Sequence, residues 1–224
     1  MRYNHTILSV ALMVTLADVS HAKDRYYMLV FGSQTEPFSI RFTHTFAMFV
    51  KASGDGDNPR TYQLQTQTIS WMPQTLSIRV LASSPEPGVN LSIADSLQWA
   101  QSVGAVTTVW GPFEIRQELY ERAAKQAARL NAGEALYLCN DRRHRGTEAT
   151  NCIHAVSDVE TSEGLLMTGR QCGNAGSGAV IQHFAGHIVS NESTDRWLCE
   201  KLKIAEPEVR FALPDDQPQK LVMK

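Results

Sequence analysis

The sequence predicts an α+β fold in which helices pack on an antiparallel sheet. Short runs of β-branched and aromatic residues fill the first half of the chain and indicate strands. The segment 54–59, Gly-Asp-Gly-Asp-Asn-Pro, is a strong turn signal between two such runs and favours an antiparallel return. A long amphipathic pattern in the middle of the chain indicates a helix. With no internal repeat or low-complexity linker, we predict one domain over 23–206 and a C-terminal tail over 207–224.

The predicted strands come first in the chain. Each is bounded by turn residues, and the segment 83–90, rich in Ser and Pro, is predicted as a loop. Two shorter runs further along have the same apolar, β-branched character. The predicted strands cover 25–32, 38–53, 60–71, 75–81, 105–110 and 134–140.

The predicted helices have recognisable ends. The segment 91–104 begins with Ser92 and Asp95 at capping-box-like spacing, and Gly104 suits its end. The segment 111–133 carries Pro112, which suits a first turn, and one apolar stripe along its length. Further helices are predicted at 151–159, near 179–189 and near 193–203.

The first 22 residues have the pattern of a secretory signal peptide. A basic start is followed by an apolar run from Ile7 to Leu16, then by small residues at Ser20 and Ala22. That run is shorter than the ~20 residues that cross a bilayer. We therefore predict cleavage after Ala22 and export to the periplasm or beyond, with an uncleaved anchor or a buried strand as the alternatives.

Composition narrows the class of partner. The chain of 224 residues has a formal net charge of −2 and a pI near 6.4, whereas a nucleic-acid binder carries a strong basic patch. A hydrophobic fraction of 43% is typical of a globular protein and too high for disorder. We expect no nucleic acid and no stable membrane span, and a small-molecule, peptide or cell-wall substrate.

The chain contains four cysteines, at positions 139, 152, 172 and 199. An exported protein lies in an oxidising compartment, where disulfides are expected. If Cys152 is a free thiol, one pair can form among the other three. We favour Cys172–Cys199, because these two residues flank the C-terminal helical segment.

Cys152 is the candidate nucleophile. Asn151 is a good helix cap and places Cys152 in a first turn, where N–H groups and the helix dipole favour a thiolate. A base must lie within hydrogen-bond reach. His154 is two residues on and does not share a helix face with Cys152. His144 lies in the preceding loop, and His44 lies on an apolar strand face, where a core role is the alternative.

Two short motifs resemble those of the circularly permuted papain-like cysteine hydrolases, the lecithin:retinol acyltransferase-like group. They are "HTFAMFVKA" on an early strand and "NCIHAVSD" opening a late helix, in the same order. The resemblance implies a thiolate–imidazole pair of Cys152 and His44, and a third polar residue on the neighbouring strand. We assign that third role to Gln67. Many relatives have a histidine there, and Ile153 replaces an acidic residue of the family's motif.

Metal and phosphate chemistry fit the sequence less well. The spacing of Cys139, His144, Cys152 and His154 is not that of common zinc motifs. His183 and His187 are four residues apart, but Phe184 stands where a zinc protease has glutamate. The Gly-rich run 169–178 lacks the Lys-Ser/Thr ending of a phosphate loop. We predict no metal and no cofactor.

The predicted function is thiol-dependent hydrolysis or acyl transfer on an amide or ester outside the cytoplasm. Cys152 would attack the carbonyl, His44 would take and return the proton, and Gln67 would orient the imidazole. The alternative is a non-catalytic exported domain, cross-linked by disulfides, that binds a partner or a wall component.

Overall fold

Ten strands and five α-helices make up the described part of the chain, a mixed α+β fold as the sequence predicts. The computed structural model describes residues 24–55, 58–140, 148–162, 166, 171–190, 196–205, 207 and 209–212. The strands are β1 (Arg25–Thr35), β2 (His44–Ser53), β3 (Gln63–Ile69), β4 (Trp71–Pro73), β5 (Glu86–Asn90), β6 (Ala105–Ile115), β7 (Leu136–Tyr137), β8 (Ala149–Thr150), β9 (Ile188–Ser190) and β10 (Arg210–Phe211). The α-helices are α1 (Ile93–Ser102), α2 (Gln117–Asn131), α3 (Cys152–Ser157), α4 (Asn174–His183) and α5 (Arg196–Lys201).

The larger sheet has the order β10-β6-β1-β2-β3, and β9 also pairs with β6. All its pairings are antiparallel except that of β10 with β6. The β1–β2 ladder runs from Arg25↔Ala52 to Ser33↔His44. The β2–β3 ladder ends at Ala47↔Ile69, so the first three residues of β2 extend past the end of β3.

A smaller sheet, in the order β4-β5-β7-β8, leads directly to Cys152. Strands β7 and β8 pair in parallel, with Leu136 opposite Ala149 and Tyr137 opposite Thr150. The Leu138 N–H donates to the Thr150 carbonyl over 3.1 Å and continues this pairing by one residue. Because α3 begins two residues after Thr150, the small sheet fixes where the helix starts.

The larger sheet is covered on both faces, since β1 and β2 are apolar at almost every position. Alternate side chains of a strand point to opposite faces. Ala47 and Phe49 face α2, α3 and α4; we call this the α2 face. Phe46, Met48 and Val50 face α1 and α5; we call this the α1 face. Burying one such large side chain stabilises the fold by roughly 1.5–3 kcal/mol, so the two faces together hold the domain as one unit.

Two neighbouring predictions were wrong: the strand predicted at 75–81 and the loop predicted at 83–90. Residues 75–81 form turns and irregular backbone rather than a strand, with Leu76 at φ +57°. The strand lies instead at Glu86–Asn90, where β5 pairs with β4. A Cβ at Gly88 would lie 2.0 Å from Trp71 Cζ2, so close packing on the indole requires glycine here. Tertiary packing overrides a loop-like composition at this site.

The prediction of a helix at 111–133 was wrong in its first six residues. Strand β6 continues through Gly111 and Pro112 to Ile115, and α2 begins only at Gln117. The β1–β6 register shifts near Met28, and Gly111 has φ +98°. A proline is tolerated in a sheet where the ladder is irregular. Pro112 therefore lies within β6 and does not mark the start of a helix.

The predicted helices at 91–104, 151–159 and 193–203 were confirmed, but the one near 179–189 was wrong in its bounds, because α4 ends at His183 and β9 begins at Ile188. The Ser92 hydroxyl accepts the Asp95 N–H over 3.1 Å at the start of α1, and Asn151 caps α3. Helix α4 begins at Asn174, so the second half of the Gly-rich run 169–178 is helical. The predicted signal peptide lies outside the described residues, and of the tail, β10 joins the sheet edge. None of the helices described here combines the length and the apolar character needed to cross a membrane.

Candidate functional site

Cys152 is the first residue of α3, as the sequence predicts. The Asn151 side-chain oxygen accepts the His154 N–H over 2.9 Å and so closes the first turn. The residue is half-buried, and its side chain packs against the α2-face core. Strand β8 delivers the chain to this point, so the cysteine is held by regular structure on both sides.

Two backbone N–H groups point at the sulfur of Cys152. One belongs to Thr45 in β2 and the other to Ile153 in α3. Burial nevertheless raises the pKa of the Cys152 thiol to about 12, and these N–H groups offset only part of that rise. In this arrangement Cys152 is a protonated thiol at neutral pH.

His44 is the first residue of β2 and is completely buried. Its Nε2 lies 2.8 Å from Ser70 Oγ, which lies 2.7 Å from Ser96 Oγ in α1. The Ser96 hydroxyl donates to the Ser92 carbonyl over 2.6 Å, which completes a chain of hydrogen bonds. The other ring nitrogen, Nδ1, is buried and has no hydrogen-bond partner among the residues that the structure describes. Burial lowers the pKa of His44 to about 3, so the imidazole is neutral.

The imidazole of His44 and the thiol of Cys152 lie on opposite faces of the larger sheet. The His44 ring stacks on Phe46 and meets Trp99 of α1 edge-on, with ring centroids 5.1 and 5.7 Å apart. Cys152 belongs to α3 on the α2 face. The two residues therefore approach through the backbone, at the Thr45 N–H, and the structure does not join them in a hydrogen bond.

Gln67 does not contact His44 in the structure. It is paired with Phe49 in the β2–β3 ladder, five residues further along β2 than His44. At about 3.3 Å per residue this is roughly 17 Å along the strand. Ser70, three residues after Gln67, is the residue that binds the imidazole, because β3 has ended before the level of His44. No feature of the sequence distinguished Ser70 or Ser96 from other serines.

Three cysteine side chains gather around the start of α3. The Cys152 thiol interacts electrostatically with those of Cys139 and Cys172. The side chain of Thr43 hydrogen-bonds Cys172, and Cys139 hydrogen-bonds the Tyr137 hydroxyl. Burial, together with the two neighbouring thiols, raises the pKa of Tyr137 well above its usual range. This cluster is polar and sulfur-rich although it lies at the edge of the apolar core.

No pair of the four cysteines is joined in a disulfide. The predicted pairing of Cys172 with Cys199 has little support here, because Cys199 is buried on the α1 face among Trp197 and Leu198. Cys172 neighbours Cys152, whose helix lies on the α2 face. Within the described ranges, His, Cys, Asp and Glu side chains form no group of three suited to a metal ion. His144, considered above as a base, lies outside those ranges.

A second polar cluster surrounds Glu160, just beyond α3. The Glu160 carboxylate is completely buried, pairs with Arg122 of α2 and lies 2.5 Å from His187 Nε2. Burial would raise the pKa of Glu160, but hydrogen bonds from Ser162 and His187, with the Arg122 charge, lower it to about 2. His183 Nε2 lies 3.0 Å from the Glu160 carbonyl oxygen. The two histidines noted in the sequence therefore bind one acidic residue.

An open cleft of about 530 Å³ lies on the surface beside α1. Two arginines, Arg41 and Arg79, line it together with apolar side chains that include Leu76. Trp99 separates this cleft from His44, since its Nε1 donates to the Leu76 carbonyl over 3.2 Å while its ring contacts the imidazole. The cleft therefore approaches His44 from the α1 face and does not reach Cys152.

The chain was compared with protein-family models, curated proteins and solved structures. No protein-family model matches the chain, and no curated protein and no solved structure is significantly similar to it.

Proposed function

We propose that this protein is an exported thiol-dependent hydrolase or acyltransferase acting on an amide or ester, with a permuted papain-like arrangement. The supporting observation is the pair of N–H groups, from Thr45 and Ile153, directed at the Cys152 sulfur. Such donors stabilise a thiolate, the form of cysteine that attacks a carbonyl. The order of the elements, with the histidine strand before the cysteine helix, also fits this proposal.

In the proposed reaction His44 takes the thiol proton as the Cys152 sulfur attacks the carbonyl carbon. The proton then passes to the leaving amine or alcohol as its bond to carbon breaks, which leaves a thioester on Cys152. Water or an acceptor hydroxyl or amine cleaves that thioester and restores the thiol. Gln67 was assigned to orient the imidazole; the contact described above makes Ser70 the better candidate for this positioning role.

The reaction requires the imidazole to turn toward the thiol. The Thr45 nitrogen that binds the sulfur belongs to the peptide bond following His44, so the His44 backbone already adjoins Cys152. Among the described residues His44 Nδ1 has no hydrogen-bond partner to give up, so it can accept the thiol proton without breaking a bond. Because the Cβ of His44 lies on the α1 face, side-chain rotation alone cannot bring the ring to Cys152; the reaction requires the backbone at the start of β2 to turn, which exchanges the Ser70 contact for the thiol.

The test uses reduced protein and two readouts: labelling by a small thiol-reactive probe at pH 7, and hydrolysis of a panel of activated esters. Cys152→Ala should abolish hydrolysis and remove the part of the labelling that peptide mapping assigns to position 152, while Cys172 is still labelled. His44→Asn should lower hydrolysis by about 10²–10⁴-fold, the usual contribution of a general base. Cys139→Ala, also in reductant, is the matched control and should retain both. Hydrolysis that survives Cys152→Ala would refute the proposal.

A non-catalytic exported binding domain is the second candidate, and one observation favours it. The His44 imidazole is held by the Ser70–Ser96 chain on the face opposite Cys152. If this is its permanent role, Cys152→Ala will leave every function of the protein intact, and His44→Asn will change stability alone. The ester panel on reduced protein separates the two candidates.

Export is tested at the N-terminus. We expect the mature protein recovered from the exported fraction to begin at Lys23, because the apolar run and the small residues at 20 and 22 define a cleavage site. N-terminal sequencing is the measurement. A product that begins at Met1 and stays in the cytoplasmic fraction would show that the protein is not exported to an oxidising compartment.

A further inference from the structure

We propose that Cys139 and Cys152 form a reversible disulfide that controls whether the Cys152 thiol is available. The bond itself follows from the positions of the two residues. Its regulatory meaning rests on the proposed function, because only a nucleophilic Cys152 would be switched off by it.

The register of the small sheet places the two cysteines side by side. Strands β7 and β8 run parallel with Tyr137 opposite Thr150, and the Leu138 N–H bond to the Thr150 carbonyl extends the pairing. Cys139 and Cys152 each lie two residues beyond the last paired residues, Tyr137 and Thr150, so both cysteines leave the same end of this pairing. Neighbouring strands are about 4.8 Å apart, and a disulfide needs Cα atoms roughly 4.4–6.8 Å apart. Two chains that leave adjacent strands at the same end start within this range, so a bridge requires only a local adjustment at the start of α3.

The side chains occupy a common site. Both Cys139 and Cys152 pack against the α2-face core, and their thiols interact electrostatically. The interaction of Cys152 with Cys139 is larger than that with Cys172. Cys172 is the other thiol near Cys152, so it is the competing partner that an experiment must exclude.

The oxidant we name is a low-molecular-weight disulfide, such as oxidised glutathione. One cysteine, as a thiolate, attacks a sulfur of this molecule, forms a mixed disulfide and releases one equivalent of small thiol. The second cysteine, also after losing its proton, attacks the protein sulfur of the mixed disulfide and releases the second equivalent. The two protein thiols lose two electrons, the small disulfide gains them, and the two protons end on the released thiols.

In the oxidised form Cys152 has no thiolate to attack a carbonyl, and reduction by a small thiol restores it. An exported protein with this bridge would stay inactive in an oxidising medium until a thiol reductant reached it. The bridge would also protect Cys152 from irreversible oxidation, since a disulfide is reversible and sulfinic acid is not.

The experiment equilibrates the full mature chain with graded ratios of oxidised to reduced glutathione, traps free thiols by alkylation at low pH, and maps peptides without reduction. We expect a Cys139–Cys152 peptide to rise with the oxidised fraction, and probe labelling of Cys152 to fall by about tenfold or more. Cys139→Ser should abolish the bridge and leave Cys152 as a mixed disulfide with glutathione. Cys172→Ser is the matched control and should retain the bridge; circular dichroism checks that both variants fold.

A bridge between Cys152 and Cys172, between Cys172 and Cys199, or no bridge at any ratio would overturn the inference. Ester hydrolysis by reduced protein is read separately. If the bridge forms but reduced protein hydrolyses nothing, the proposed function fails while the disulfide stands. If reduced protein hydrolyses esters in a Cys152-dependent way but no Cys139–Cys152 bridge forms, the regulatory inference fails while the proposed function stands; if fully bridged protein hydrolyses esters as fast as reduced protein, both fail, because the bridged Cys152 has no thiol.

Discussion

At the scale of single residues, His44 illustrates how burial decides chemistry. The sequence placed it correctly on the same strand face as Phe46, because alternation along a strand is reliable. The partner of its ring was not predictable, because Ser70 reaches His44 only where β3 ends and the chain bends into β4. Gln67 lies within β3, opposite Phe49, and is too far along the sheet to reach His44. The residue that binds the His44 imidazole depends on where the β2–β3 ladder ends, and the sequence pattern does not predict that end.

The buried His44 should make stability fall in acid. Its pKa is about 3 in the folded protein against 6.5 in the unfolded chain, so between these values the unfolded state binds a proton that the folded state does not. Stability is therefore lost as pH falls from about 6.5 toward 3, by at most about 1.4 kcal/mol per pH unit from this one group.

Urea unfolding of wild type and His44→Gln between pH 7 and pH 4 is the measurement. The variant should start less stable at pH 7 and lose stability less steeply below pH 6. The pKa of Glu160 is about 2, so its contribution begins to fade only below about pH 4.5, and it cancels when the two proteins are compared at equal pH. Parallel curves would show that His44 does not titrate in this way.

At the scale of elements, Glu160 joins three parts of the α2 face. Its carboxylate is fully buried, pairs with Arg122 of α2, and accepts from His187 in the turn after α4. Removing the charge leaves the guanidinium without its counter-ion in a partly buried site. Because Arg122 is 42% exposed and water partly solvates it, the expected loss is that of hydrogen bonds to a charged group, about 1.5–3 kcal/mol.

We therefore expect Glu160→Gln to lower the free energy of unfolding by about that amount at pH 7. Glu121→Gln is the matched control: Glu121 lies on the exposed side of α2 and accepts from Gln117, over 2.7 Å. Its effect should stay within about 0.5 kcal/mol. Chemical denaturation of both variants is the measurement, and equal losses would contradict the role given to Glu160.

Helix ends were easier to predict than strand identities. Ser92 and Asn151 cap α1 and α3 through short local contacts, which a few neighbouring residues determine. The predictions were wrong for 111–116, predicted as helix, and for 86–90, predicted as loop. Both segments contribute to strands that form only by pairing with a partner distant in the sequence. Non-local pairing carries little local signature, whereas a cap is local by nature.

At the scale of the whole molecule, the larger sheet separates two halves of the predicted site. Because β1 and β2 are apolar on both faces, helices pack on each side, and α3 lies on the α2 face while the His44 ring lies on the α1 face. The sequence predicted the strand, the helix and both residues. It could not predict which face α3 would cover, since an apolar strand with no polar side offers no preference.

The same two-sided construction predicts how the thiols respond to unfolding. Cys172 is half-buried beside Cys152, whereas Cys199 is 5% exposed in the α1-face core. In reduced native protein we expect maleimide to modify Cys172 first and Cys199 last, at a rate set by global opening. For a stability of at least 5 kcal/mol, this protection slows the modification of Cys199 by about 10³-fold or more.

The Leu119→Ala variant tests whether both layers unfold together. Leu119 lies in α2 on the other face and contacts no part of the Cys199 site, yet its truncation should lower the free energy of unfolding by about 2–5 kcal/mol. If the sheet and both its layers unfold together, this distant change should speed Cys199 modification about 30-fold or more, while Cys172 changes little. Mass spectrometry of pulse-labelled protein gives both rates, and a Cys199 rate that ignores Leu119→Ala would mean that the α1 layer opens on its own.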